Sequence, residues 1–137
     1  MMAEQVVATV LLADAAVAAA VVERIYLAGK APQDGLRPYL TYQRISGATV
    51  IGTDLEGDTG LDAIRVQVNA WDNAFGGNAS AVAQKVRQAL HGKHGPGPQQ
   101  QSIECSAPVD FASDEKLQIE GARVDAIVTM NEAAEAA

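Results

Sequence analysis

Cysteine is nearly missing from these 137 residues: Cys105 stands alone, so no intrachain disulfide can form and a reducing compartment is expected. Histidine is scarce too. His91 and His94 flank a Gly-Lys pair with no Cys, Asp or further His beside them to complete a metal site. They read instead as a helix C-terminus where a cationic side chain meets the dipole. Aromatic residues make up 4 % of the chain against 48 % apolar residues, most of these Ala and Val. Individual burial gains in such a core are modest, and neighbouring subunits are expected to add stability. Positive charge is also short, ten Lys+Arg against seventeen Asp+Glu for a net −7, with no basic run. That excludes a duplex-DNA binder working by counterion release, although an acidic wall would keep passing phosphates mobile.

Other absences narrow the chemistry. The apolar run Val6 to Val22 has Glu4 before it, no preceding Lys or Arg, and Asp14 in its middle. It therefore lacks the basic region of a signal peptide and is short for a bilayer span, and it reads as a soluble core helix. Ser46-Gly47 and Gly76-Gly77 do not extend to a P-loop or dinucleotide fingerprint. Asp54, Glu56, Asp58 and Asp62 imitate a calcium loop, but the twelfth position from Asp54 is Arg65, where a bidentate Glu is required. No carboxylate pair is placed as acid and base. Cys105 lies on the apolar side of an alternating segment with no adjacent base, so it reads as a buried inert thiol. No catalytic residue, cofactor or metal is expected.

What is present is a single domain over residues 1–137, its last residues 131–137 (NEAAEAA) having nothing to bury. Val6, Val10, Val17 and Val21, with Ala13 and Ala20, fall near helical spacing. Asp14 suits the N-cap of a second segment, so the run is one helix or a helix followed by a shorter one. Tyr39 to Ile45 predicts a strand with Leu40 and Tyr42 on one face and Thr41 and Gln43 on the other. Ser46 to Gly60 reads as a long mobile connection. Ile64, Val66, Val68 and Ala70 alternate with Arg65, Gln67, Asn69 and Trp71 in the clearest strand. A helix capped by Asn78 or Ser80 carries Val82, Val86, Ala89 and Leu90 and stops at Gly92, before the loop GKHGPGPQQQ. Ile103 to Phe111 alternates as a strand that is an edge or bulged at Pro108. Ala122 to Met130 closes the chain as a strand, and the opposite parity of Leu117 and Ile119 predicts a bulge near Gly121. The expected fold is α+β: an antiparallel sheet of about four strands, two main helices on one face, in a ring-forming subunit that covers its edges with neighbours.

Arg24 to Gly47, RIYLAGKAPQDGLRPYLTYQRISG, gathers all three tyrosines with Pro32 and Pro38, yet holds no catalytic motif. A segment of this kind is suited to presenting surface. Trp71 and Tyr39 each keep two readings: structural residues of a strand, or interface anchors, since Trp and Tyr dominate interface hot spots. Arg24 and Arg44 are candidates for rim ion pairs between subunits.

The segment from Leu11 to Gly47 resembles the opening of the tail-completion (tail-terminator) family of long-tailed bacteriophages and related tail-like particles. Arg24-Ile25-Tyr26, Ala31-Pro32-Gln33, Pro38-Tyr39-Leu40 and Arg44-Ile45-Ser46-Gly47 match its elements in order. IRVQVNAWD with a helix ending in VRQAL, and RVDAIVTM, resemble its second strand, second helix and closing strand. The resemblance implies a structural, non-enzymatic ring, usually a hexamer, seated on the last ring of the tail tube. Such a ring ends tube polymerisation and meets the head-side connector or stopper protein. It also implies partners in its own copies and the tail tube protein, DNA passing through the lumen, and no membrane. The implied location is the virion tail or neck, and the host cytoplasm during assembly. On that footing Arg24, Tyr26, Pro32, Gln33, Pro38, Tyr39, Arg44 and Trp71 are expected at inter-subunit or inter-ring contacts. The competing readings are another neck component (adaptor or stopper) and a small oligomeric ligand-binding α+β domain.

Overall fold

Asp14 divides the apolar N-terminal run. Its carboxylate accepts from the Val17 N–H at 3.0 Å, an N-cap that ends helix α1 (Ala3–Ala13) and starts α2 (Ala15–Val21). The two helices are bent by 86° at this break, and among the described residues no single helix is long and apolar enough to cross a membrane. Ala3, Val7 and Leu11 lie one turn apart and are buried with Val6, Val17 and Val21, while Val10 and Ala20 are partly buried against the same core. The computed structural model describes residues 2–22, 24–30, 37–51, 58–73, 78–93, 102–114 and 119–130. The tail at 131–137, His94 and Leu117 lie outside the described residues.

Six strands follow the helices: β1 (Ile25–Leu27), β2 (Tyr39–Ile51), β3 (Asp58–Asn73), β4 (Ser102–Cys105), β5 (Val109–Asp114) and β6 (Ile119–Met130). A third helix, α3 (Ala79–Leu90), separates β3 from β4. The sheet order is β1-β2-β3-β6-β4, with β5 also paired to β6. All pairs are antiparallel except β1 with β2, so the sheet is mixed. The α+β class is as expected, whereas among the described residues six strands and three helices replace the expected four and two.

The differences have local causes. The stretch read as a connection from Ser46 to Gly60 is strand on both sides, β2 running to Ile51 and β3 starting at Asp58. Ala48-Thr49-Val50-Ile51 has the β-branched character of a strand, which the surrounding Gly and Asp obscure. The register shifts between Arg44 and Ser46, and Ile45 becomes an exposed extra residue. The segment Ile103 to Phe111 is broken at 106–108 into β4 and β5, in keeping with a Pro108 that has no N–H to donate. The predicted bulge at Gly121 is displaced. β6 pairs with β3 from Ile119 to Met130 without a shift, and the irregularity lies across the ladder, between Phe111 and Asp114 of β5.

Parity then sets the core. Leu40, Ile64, Val66, Val68, Ala70, Ala122, Val124, Ala126 and Val128 form one buried face, closed by the three helices. From α3 come Ala79, Val82, Ala83, Val86, Ala89 and Leu90, the stripe expected from the sequence with two more alanines. Asn78 caps α3 by accepting from Ala81 N–H at 3.1 Å. Tyr42 packs partly buried against this core on Leu40's face, also as expected.

Candidate interaction surface

The other face of the sheet carries no helix among the described residues. Residues of opposite parity line it: Tyr26, Tyr39, Thr41, Gln43, Arg65, Gln67, Asn69, Trp71, Arg123, Asp125 and Ile127. The face is polar with three exceptions. Ile127 is exposed near its middle, Val109 is exposed at the β5 edge, and an aromatic group occupies one end.

That group follows from register. β1 lies beside β2 with Tyr26 opposite Thr41, and Tyr39 is the cross-strand partner of Trp71. Tyr26 meets Tyr39 edge to face at 6.1 Å between ring centres, and Tyr39 stacks on Trp71 at 6.4 Å. Trp71 Nε1–H donates to Thr41 Oγ1 at 3.0 Å, which satisfies the indole and leaves its ring half-buried. Three of the predicted contact residues thus form a single patch, although they are separated by up to 45 positions in sequence (Tyr26 to Trp71).

Other predicted residues hold positions within the subunit. Arg24 Nε–H donates to the Pro38 carbonyl at 2.9 Å, tying the start of β1 to that of β2. Arg44 makes a two-point ion pair with Glu4 of α1, at 3.1 and 3.3 Å, binding helix to sheet. Pro38 follows a cis peptide bond from Arg37. Pro32 and Gln33 lie outside the described residues.

The end of α3, expected to place a cationic histidine against the helix dipole, also closes an edge of the sheet. α3 ends at His91, whose Nδ1 accepts from the Cys105 N–H at 3.0 Å. Gly92 N–H donates to the Ile103 carbonyl at 2.8 Å, and Ile103 N–H donates to the Lys93 carbonyl at 3.1 Å. Alternate residues of an antiparallel strand point their polar groups away from the partner. Ile103 and Cys105 are the outward pair of β4, so residues 91–93 close that edge. The sequence held a weak signal for this, a histidine at a helix terminus beside a glycine; the contact itself spans fourteen positions, from His91 to Cys105.

The same corner holds a shallow cavity of about 360 Å³ lined by Arg65, His91, Glu104, Cys105, Ser106, Asp125 and Ile127. Arg65 pairs with Asp125 at 2.5 Å across it. Burial pushes the Cys105 thiol up to about 12, a rise that the nearby Arg87 guanidinium opposes. A thiol that stays protonated is no nucleophile, as expected from its place in the strand. Among the described residues no group of His, Cys, Asp or Glu is arranged to hold a metal ion.

A solved chain titled "Virion of native gene transfer agent (GTA) particle" superimposes with a TM-score of 0.69 at 19 % identity, covering 93 % of each chain. At that identity the likeness establishes a shared fold. No curated protein matches at a significant level. The family model of tail completion protein gp17 matches residues 5–128, and by that match the chain belongs to this family of phage tail structural proteins.

Proposed function

We propose that this protein caps the tail tube as an oligomeric ring, ends tube polymerisation and offers the joining surface to the head-side connector. Family membership over residues 5–128 is the observation that carries the reading. The fold suits it: one face of the sheet is sealed by helices, while the other presents polar side chains and an aromatic patch. A cap must match the tube on one side and refuse a further tube ring on the other. Head-to-tail contacts that close by rotation produce such rings, with a hexamer the expected number. The role is structural rather than enzymatic, exercised in the virion tail or neck after assembly in the host cytoplasm.

The net charge of −7 suits a lumen through which DNA slides without sticking. Imaging of particles assembled without the protein tests the cap. Overlong tails, or filled heads beside unjoined tails, are expected; normal particles would overturn the reading. Tight, salt-sensitive DNA binding by the isolated protein would overturn the lumen assignment alone.

A further inference from the structure

The two ends of the sheet are treated differently. At β4 the outward backbone groups are taken up by His91, Gly92 and Lys93. β1 and β5 each pair with one strand only, and among the described residues no strand stands on their far sides. On β1, Arg24 O and Ala28 N–H bond to β2 and Leu27 O accepts from Lys30 N–H, so the groups directed outward are the N–H and C=O of Ile25 and the N–H of Leu27.

We infer that these two open edges join in successive copies of the chain, β1 of one subunit adding antiparallel to β5 of the next. The inference rests on the ring reading above and specifies its contact. Four observations support a second copy as the occupant.

Level is the first. Across the sheet Ile25, Leu40, Ala70, Ala122 and Asp110 stand in one row, and Tyr26, Thr41, Asn69, Arg123 and Val109 in the next. A ring that closes by rotation needs its two edges at matching heights. Direction is the second. β1 runs with β2, against β3, with β6 and against β5. Rotation about the ring axis therefore brings β1 beside an oppositely directed β5, the pairing that direct backbone hydrogen bonds favour.

Charge is the third. Residues 24–30 contain Arg24 and Lys30 and no acid, whereas residues 102–114 contain Glu104, Asp110 and Asp114 and no base. Exposed apolar side chains are the fourth. Val22, held at φ 49° at the end of α2, is 62 % exposed and leads into β1, where Leu27 is 43 % exposed; Val109 of β5 is 48 % exposed. The positive φ of Val22 is that of the left-handed residue that ends α2, and it holds this side chain out beside the start of β1. Unpaired edges with apolar side chains invite strand addition, and here the plugged β4 leaves the junction one place to form.

The test uses the full chain in a Cys105→Ala background with Tyr26→Cys and Val109→Cys, positions in one row and on one face. Native mass spectrometry first establishes whether a closed oligomer forms, and mild oxidation then captures the junction. A ladder of covalent multimers in the double variant, with single variants remaining monomeric on a denaturing gel, is the expected result. A closed oligomer without the ladder would overturn the β1–β5 junction and leave the ring reading standing. A wild-type chain that stays monomeric at every concentration would overturn both.

Charge variants give a second arm that leaves the aromatic patch intact. Lys30→Glu and Asp110→Lys should each raise the concentration at which half the chains assemble by about two- to fivefold. Lys30 and Asp110 lie in different rows, so their combination should act additively, and assembly unchanged in both single variants would count against the junction.

Discussion

The two faces of the sheet are drawn from the same strands and differ only in parity, yet they obey different rules. On the covered face Leu40, Val66, Val124 and Val128 are completely buried, and small side chains let three helices pack closely over them. On the open face Gln43, Gln67 and Asn69 are half-buried at most, and Gln43 reaches Gln67 at 3.4 Å. The covered face supplies stability through area removed from water. The open face supplies little stability and keeps chemical variety available for contacts. One strand thus serves two selections at once, because successive side chains point to opposite sides.

Substitutions on a single strand break this comparison most directly. Leu40→Ala should cost about 2–5 kcal/mol, since a fully buried leucine leaves a cavity, whereas Gln43→Ala three positions away should stay within about 0.5 kcal/mol. Urea denaturation of the two variants measures the contrast, and equal losses would erase the distinction between the faces.

Alkaline pH probes the covered side through Cys105. Its thiol is raised from 9.0 to about 12 by burial, so only the unfolded chain ionises between these values. Stability from this group is fully present below pH 9.0 and is lost as pH rises toward about 12, at about 1.4 kcal/mol per unit. Unfolding curves at pH 8 and pH 10 should show this extra loss in the wild type and not in Cys105→Ala.

Asp14→Ala should cost about 1 kcal/mol by removing the cap that starts α2, with Asp14→Asn retaining most of it. Thermal unfolding of the pair decides whether the carboxylate serves as a hydrogen-bond acceptor. The last substitution returns to the open face. Trp71→Phe keeps a ring beside Tyr39 but drops the bond to Thr41, an expected loss of about 0.5–1 kcal/mol in the monomer. Disruption of assembly out of proportion to that loss would sharpen the assignment of the aromatic patch to contact.

Much of the covered face was legible because it depends on period alone. Val66, Val68 and Ala70 announced their strand, and Val82, Val86, Ala89 and Leu90 their helix, through spacing that any partner layer would reward. Asp14 was readable as a cap because the interaction spans three residues. Strand limits were less legible. Ala48 to Ile51 was hidden among glycines and acids, and its state depends on the availability of β3 as a partner. β1 is too short to carry a pattern, so the parallel pair that makes the sheet mixed left no trace in periodicity.

The candidate contact residues divide in the same way. Their residue types pointed to a surface, but Arg24 and Arg44 are engaged within the subunit, whereas Tyr26, Tyr39 and Trp71 converge through strand register. His91 shows the limit most clearly, since its place against Cys105 N–H depends on where the chain returns after α3.

By itself the sequence determined the α+β class, the lack of metal-binding and nucleotide motifs, the acidic balance and the ordered motifs that mark the family, because composition and short-range periodicity are properties of the chain alone. Tertiary structure decided which face stays open, which edge is plugged by residues 91–93 and which edges face outward at one level. Those outcomes depend on hydrogen bonds between segments far apart in sequence, whose partners are chosen only when the whole sheet assembles.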